Sequence, residues 1–501
     1  MQAPSSRPLY LPRSTPRLGS PRDRLLDRLY RHLFSPEDIA FLVYVRIIFG
    51  AILLWEIYRY FTHNWISRYY IEPSFLFTYY GFSWVKPWPG NGMYIHFFAL
   101  GLLAVCILVG FCYRIAAMLF FIGFTYVFLL DQTHYLNHFY FVSLISFLLI
   151  FLPANRAGSL DALLRPALRS DVVPGWTLWL LRAQIGIVYF YAGLAKLSAD
   201  WLRGEPMRMW LAPLGDIPGL GFVFKGEWFI YLFVIGGLIL DLFIVPFLLW
   251  RRTRLYAFLT GVAFHLFNAL MFPIGIFPWF MLGLTLIFFP PDLMRRLARA
   301  FLPPAPRSVP DTKNIPDSIT GATWSPKRKA VAALLALYLA VQVILPFRHY
   351  AYPGDVNWTE EGHKFSWHMK LRGKDANAVF TISHPASGQN WTVDPAQYLT
   401  WKQLEKMPTQ PEMILQFSHH LANEKRLEGY DNVEIRAHVM ASLNGRKPQL
   451  LIDPTIDLAK ERINLLPTRW ILPLTEPLPA GGRPAKKPQG PRTESFPATD
   501  Y

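Results

Sequence analysis

The sequence predicts a polytopic α-helical membrane protein of about nine transmembrane helices, followed by a C-terminal extracytoplasmic α+β domain rich in β-strands. Three observations predict it. Of 501 residues, 52% are hydrophobic and only 17% are charged, whereas a soluble globular domain carries about 25% charged residues. Aromatic residues make up 16%, with 39 Phe and 17 Trp, as suits lipid-facing helices flanked by interfacial belts. The long apolar runs stop after Pro346, and charged residues then alternate with short β-type runs. This pattern argues against a cytosolic enzyme, a fibrous chain and a disordered one.

Taken in order, residues 1–37 are rich in Pro and Arg and lack the apolar stretch of a signal peptide. They read as a basic cytoplasmic segment. Residues 38–347 hold nine apolar runs: 39–58, 93–111, 114–130, 137–153, 177–196, 229–250, 255–272, 275–290 and 330–347. Each falls in the range of about 17–25 residues that spans a bilayer. The second and third meet at a tight turn near Arg114, the seventh and eighth at Pro273-Ile274-Gly275. Residues 348–475 form the α+β domain, with strand-type runs 378–382 and 433–439 and a helical patch near 409–427. From about 476 the Pro, Gly and Lys content predicts a disordered tail.

Orientation follows from basic residues. Lys plus Arg number 50 against 34 Asp plus Glu. With the N-terminus in the cytoplasm, the inner segments hold 22 basic residues and the short outer loops six: Arg59, Arg68, Lys86, Arg203, Arg208 and Lys225. The positive-inside rule then puts the C-terminal domain outside the cytoplasm, and explains the surplus without nucleic acid. The two cysteines, Cys106 and Cys112, lie six apart in one apolar stretch, and on a helix they would stand about 240° apart around its axis. They form no disulfide with each other and no thiolate metal site.

Ionisable residues inside spans are costly and mark function by default. Here they are Arg46, Arg182, Lys196, Asp241 and His265, with His138 at a helix start. Lys196 follows Arg182 by about 21 Å of helical rise, which brings it near the outer face. Asn137 and His138 begin an inward-running span at that same face, and His265 with Asn268 lie in the outer part of another. Duller readings stand beside these. Lys196 fits a lysine snorkelling to phosphates, and Asn137-His138 fits a helix cap. His265 and Asn268 fit an interhelical hydrogen bond. Arg46 and Asp241 fit a structural ion pair, and Arg182 fits a residue facing headgroups. No HExxH, GxSxG, Walker or dinucleotide fingerprint is present.

The segment Gln184-Ile-Gly-Ile-Val-Tyr189-Phe-Tyr-Ala-Gly193-Leu-Ala-Lys196-Leu-Ser-Ala-Asp200-Trp201 resembles the core motif of the vitamin K-dependent γ-carboxylase family, within the horizontally transferred transmembrane (HTTM) class. Further matches follow in order: Gly110-Phe111-Cys112-Tyr113-Arg114-Ile115, Leu130-Asp131-Gln132-Thr133 with Asn137-His138, and Phe264-His265 with Asn268. Beyond the spans come Leu345-Pro346 with His349, Asn357-Trp358-Thr359, Phe365-Ser366-Trp367 with Met369, and Asp453-Pro454. The resemblance runs from about 38 to 472.

It implies a membrane enzyme that oxygenates a vitamin K hydroquinone, of phylloquinol or menaquinol type, with O2, and uses that oxidation to carboxylate a peptide glutamate with CO2. No metal is implied. Its partners would be the lipid bilayer, the quinol and a glutamate-containing protein or peptide, at the cell membrane if the source is prokaryotic. The family's catalytic lysine corresponds to Lys196 and its functional histidine to His138. Asn137, His265 and Asn268 would border the quinol, and Phe365, Ser366 and Trp367 would help bind the glutamate. Departures are visible. Ala195 stands where the vertebrate members have a second lysine, Trp367-His368-Met369 replaces Trp-Asp-Met, and the cysteine partner of the family's extracytoplasmic disulfide is missing. The chain also ends soon after 475, as in the short prokaryotic type. Two other readings stand: a quinol epoxidase or oxygenase without carboxylation, and a non-catalytic binding or transport protein on the HTTM scaffold.

Overall fold

Apolar sequence in lipid must satisfy every backbone N–H within its own segment, so it forms helices. In a computed structural model of the chain, which describes residues 21–219, 221–272, 274–299 and 325–479, each of the nine apolar runs is a helix. They are α1 (Ala40–Thr62), α2 (Gly92–Val109), α3 (Tyr113–Leu130), α4 (Asn137–Phe151), α5 (Trp176–Ala195), α6 (Glu227–Leu249), α7 (Arg254–Met271), α8 (Phe277–Thr285) and α9 (Pro326–Ile344). Residues 1–20, Pro273 and the tail from 480 lie outside the described residues, and with them much of the expected N-terminal segment and of the expected disordered tail.

Six of the nine, α1, α2, α3, α5, α6 and α9, are long and apolar enough to cross a membrane. The expected figure was about nine, and the difference has a physical cause. α4 has 15 residues, and α8 has nine before a 3-10 turn over Leu286–Phe288. α7 reaches 18 residues, but Arg254, His265 and Asn268 dilute its hydropathy.

Two short strands, β1 (Pro36–Asp38) and β2 (Val172–Pro174), pair antiparallel and so start α1 and α5 side by side. On that same half of the bundle α2 turns into α3 through Gly110 and Cys112, both left-handed at φ 68° and 43°. A Cβ on Gly110 would collide with the Arg46 guanidinium. Arg46, fully buried, donates from Nη2 to the Gly158 carbonyl, so it fastens this turn rather than meeting Asp241. The expected Arg46–Asp241 pair does not form.

The domain is a four-stranded antiparallel sheet, ordered β4 (Gln389–Val393), β3 (Lys374–His384), β5 (Glu434–Leu443), β6 (Gln449–Leu450). Alternate residues point to one face. Ala378, Phe380 and Ile382 of β3, with Ile435, Ala437 and Val439 of β5, face the helix α10 (Pro411–Leu427). Phe380 and Phe417 meet there with ring centroids 5.0 Å apart.

Helices and domain exchange segments. Phe75 and Phe77, between α1 and α2, pack into the domain core. Phe77 O accepts from Gln132 N at 2.8 Å, and Gln416 Oε1 accepts from Thr78 N at 3.0 Å. In return the strap of residues 360–373 lays Phe365, Trp367 and Met369 against the helix core. The strap's backbone is left-handed at Glu360, Phe365, Trp367 and Lys370, with φ from 49° to 66°. Such a conformation costs about 1–3 kcal/mol per non-glycine residue, and burial of the two aromatic rings offsets it.

Candidate active site

α5 ends at Ala195, and Lys196 is its cap residue. Its side chain does not snorkel outward. Nζ lies 2.5 Å from Asp241 Oδ2 and 3.3 Å from the Ala192 carbonyl, with the Trp201 ring 5.3 Å away. The two charged side chains are 7% and 5% exposed. A close helix crossing makes this possible. A Cβ on Gly193 would stand 2.9 Å from the Leu242 backbone nitrogen, so only glycine lets α5 approach α6 there. Trp201 is itself fixed by Nε1 donating to Val234 O at 3.0 Å.

The pair opens into a cavity of about 480 Å³ that His138, His265, Asn268 and Asn137 also line. Five of the eight expected site residues therefore meet around one space. His265 Nε2 lies 2.7 Å from the Tyr189 hydroxyl, so the interhelical bond expected of it does form, on α5. Asn268 Nδ2 donates to Phe264 O at 2.9 Å along its own helix. His138 packs on Phe139 and Phe277. Neither it nor Asn137 caps α4, because Leu136 holds that position. Both polar ends of Asn137 are used. Oδ1 accepts from Tyr135 at 3.0 Å, and Nδ2 donates to the His368 carbonyl at 3.0 Å. Asn137 is a fastener between α4 and the strap.

Phe365, Ser366 and Trp367 lie outside the lining. Trp367 is 1% exposed and packs on Tyr140 and Phe141 at 4.9 and 6.2 Å. Phe365 sits among Tyr79, Phe128, Tyr135 and Tyr140. Ser366 Oγ donates to Gly362 O at 2.6 Å. Their strap neighbours His363, Lys364, His368, Lys370 and Arg372 line the cavity instead, with Lys374 at the start of β3. Nor does Arg182 reach for headgroups, since it donates to Ile287 O at 2.8 Å and lies over Trp179 and Phe288.

The cavity thus has two chemistries. Its deep part is walled by Val188, Phe233, Phe264, Phe267, Phe277 and Met281, and its outer part is basic, with Lys406 facing the strap. Burial, then repulsion from Arg372, pushes His363 well below the ordinary histidine value. Burial, with His349 and Arg372, pushes His368 to about 3. Both imidazoles are neutral near pH 7. Burial lowers Lys374 to about 8 despite Glu360, while its ammonium donates to the Trp358 and Thr409 carbonyls at 2.6 Å each. Burial lowers both Lys370 and Lys406, helped at Lys370 by the charges of Lys406 and Lys402 and at Lys406 by those of Lys402 and Arg372. Among the described residues no cluster of His, Cys, Asp and Glu is arranged to hold a metal ion.

The donor set fits a reduced quinone: an amine–carboxylate pair, neutral imidazoles and aromatic walls, in the range of about 300–1,000 Å³ usual for small-molecule sites. Among the described residues one buried atom on the lining, His368 Nδ1, has no hydrogen-bond partner, and such atoms ordinarily have one. Sequence reasoning missed Asp241, Tyr189 and Trp201 as site residues. Asp241 carried the clearest signal, an acid in the middle of a 23-residue apolar helix whose other acid, Glu227, stands at its first position.

No solved structure matches the chain. The sequence pattern of the HTTM domain matches residues 34–293. That of the vitamin K-dependent gamma-carboxylase, lumenal domain, matches residues 327–477. The first match covers α1 to α8 and the second covers most of α9 with the domain, and the chain belongs to the vitamin K-dependent γ-carboxylase family.

Proposed function

We propose that this protein γ-carboxylates glutamate in a peptide or protein and couples the reaction to quinol epoxidation. All nine helices are taken as crossings, with the N-terminus cytoplasmic and the domain outside, the membrane being the cell membrane if the source is prokaryotic. The observation that carries the reading is the placement of a buried Lys196–Asp241 pair at the junction of an apolar helix pocket and a basic domain mouth.

A glutamate γ-C–H is far too weak an acid for any side chain, so reduced vitamin K, oxygenated by O2 to its epoxide, supplies the strong base when bound, and CO2 supplies the carbon. The chain's own residues do the rest. Lys196 takes the proton of a phenolic hydroxyl, an acid of pKa about 10 like tyrosine. His138 hydrogen-bonds the oxygen left behind, and His265, steered by Tyr189, supports it from α7. The aromatic walls exclude water, which strengthens these interactions and protects a reactive base. Lys370 and Lys406 attract the carboxylate of the incoming glutamate.

A specific observation favours one second reading, epoxidation without carboxylation: the residues expected to hold the glutamate are packed away from the cavity. One experiment decides between them. Purified protein is incubated with reduced quinone, O2, labelled CO2 and a glutamate peptide, and epoxide and incorporated label are measured separately. Label and epoxide together support the carboxylase, epoxide alone leaves the epoxidase, and neither sinks both.

A further inference from the structure

A base needs a lone pair, and every polar contact of Lys196 is with an acceptor. Nζ lies 2.5 Å from Asp241 Oδ2, a hydrogen-bonded contact between a buried amine and a buried carboxyl. Its other polar contact is the Ala192 carbonyl at 3.3 Å, an acceptor, and the Trp201 ring face also attracts a cation. Every one of these neighbours favours the ammonium, which has three donors and no acceptor. Before Nζ can take a proton it must give one up. The nearest acceptor is Asp241, and among the described residues no other side chain hydrogen-bonds that carboxylate.

We infer that Asp241 is where the proton removed from the quinol comes to rest, with Lys196 as the relay between them. The inference rests on the quinol reading of the cavity. In the step, one Nζ–H bond of Lys196 breaks and an O–H bond forms on Asp241. The free amine then breaks the O–H bond of the bound phenol and regains its third N–H. At the start the pair is ammonium and carboxylate. At the end it is ammonium and carboxylic acid, with the negative charge on the ligand oxygen.

The electrostatics explain why a carboxylate is needed there. Bringing net charge into a low-dielectric pocket is costly unless it is paired. Here one ion pair is exchanged for another around the same ammonium, so the pocket is neutral at both ends of the step. Asp241 acts through Lys196 and need not touch the ligand. The other titratable groups on the lining are Tyr189 on α5, bonded to His265 on α7, His138 on α4 with Tyr135 before it, His363, Lys364, His368, Lys370 and Arg372 of the strap, and Lys374, Asp375, Glu405 and Lys406 of the domain. The histidines and the carboxyls of Asp375 and Glu405 are rival resting places for the proton, so the test must identify the Asp241 carboxyl itself.

Infrared difference spectra of the detergent-purified full chain, recorded under argon on adding phylloquinol, make that identification. A carboxylic acid C=O band should appear with phylloquinol and not with its dimethyl ether, which has no proton to give. It should shift when the protein carries aspartate labelled with 13C at the γ-carbon. The band should vanish in Asp241→Asn and move in Asp241→Glu. In Lys196→Ala a buried carboxyl without its cation is protonated from the outset, so phylloquinol should add no band. Bound phylloquinol that is converted to epoxide in air yet gives no labelled carboxyl band overturns the inference and leaves the quinol reading intact. The same band in Asp241→Asn overturns it too. Absence of both phylloquinol binding and epoxide sinks the quinol reading and this inference with it. The wild-type label experiment stands even if the Asp241 variants do not fold.

Discussion

Arg446 grips Asp200 with two nitrogens, Nη1 to Oδ2 at 2.6 Å and Nη2 to Oδ1 at 2.8 Å, and Asn444 adds a bond to Oδ2 at 2.8 Å. The pair is buried, at 9% and 11% side-chain exposure. Burial pushes the Asp200 carboxyl up, but Arg446 and Asn444 outweigh it and hold it below the usual carboxylate range. Asp200 precedes Trp201 in the short helical turn Ala199–Leu202, so this clamp ties the end of β5 to the residue lying beside Lys196.

Breaking the clamp leaves a buried guanidinium unpaired, a loss of about 3–5 kcal/mol. Asp200→Ala should therefore lower the unfolding midpoint in detergent and open the domain to limited proteolysis. It should also slow quinol oxidation by loosening Trp201. Unchanged proteolysis and unchanged turnover would show the clamp to be dispensable.

Lys196→Ala should abolish epoxidation and carboxylation together, because both need the phenolic proton removed. Lys196→Arg should fail nearly as badly, by roughly 100-fold or more, since guanidinium does not deprotonate near neutral pH. Epoxide formation from reduced quinone is the measurement. A folded arginine variant with near-normal epoxidation would refute the assignment of Lys196 as base.

Trp367 was expected to hold the glutamate, and its packing on Tyr140 and Phe141 leads to a different outcome. Trp367→Ala removes a fully buried ring at a cost of about 3–5 kcal/mol. Both activities should fall in parallel with the folded fraction, and Trp367→Phe should recover much of each. A stable alanine variant that epoxidises normally but has a raised peptide KM would return the residue to the glutamate site.

Acid should loosen the strap. His363 and His368 are held neutral, with His368 at about 3, against about 6.5 in an unfolded chain. The unfolded state then binds more protons below about pH 6.5, so stability is full above that value and is lost as pH falls toward about 3. The slope reaches about 1.4 kcal/mol per pH unit for each histidine. Unfolding midpoints near neutral pH and near about pH 5 should differ less in His368→Gln than in the wild type. Equal acid sensitivity in the two proteins would count against this role.

Orientation is tested by reporter fusions at residues 320 and 475, which the 22-to-six basic asymmetry places in opposite compartments. Both reporters on one side would overturn the nine-crossing topology.

Much of this was legible in the residues. Length and hydropathy located all nine helices to within a few residues, because an apolar run of that size has no other way to satisfy its backbone. Rise per residue put Lys196, His138, His265 and Asn268 near one depth, and they do line one cavity. Asp241 was read as a partner of Arg46, and it pairs with Lys196 instead. It lies about 21 Å along α6 from Glu227, which suggests mid-membrane, yet it meets the end of α5. The start of α6 extends beyond that end, and a helix's axial offset leaves no mark in its composition.

The sequence by itself determined which segments are helical, which residues are ionisable inside them and which end of each helix they occupy, since these are local matters of period, length and charge. Only the tertiary structure decided who pairs with whom. Asp241 takes Lys196 while Arg46 takes the Gly158 carbonyl, and Phe365 and Trp367 turn into the helix core while His363 and His368 turn to the cavity. The pairings depend on close approaches such as Gly193 against Leu242, and the strap's facing depends on left-handed residues at Phe365 and Trp367. Both are set by packing between segments far apart in the chain, where a shift of one helical turn exchanges one partner for another.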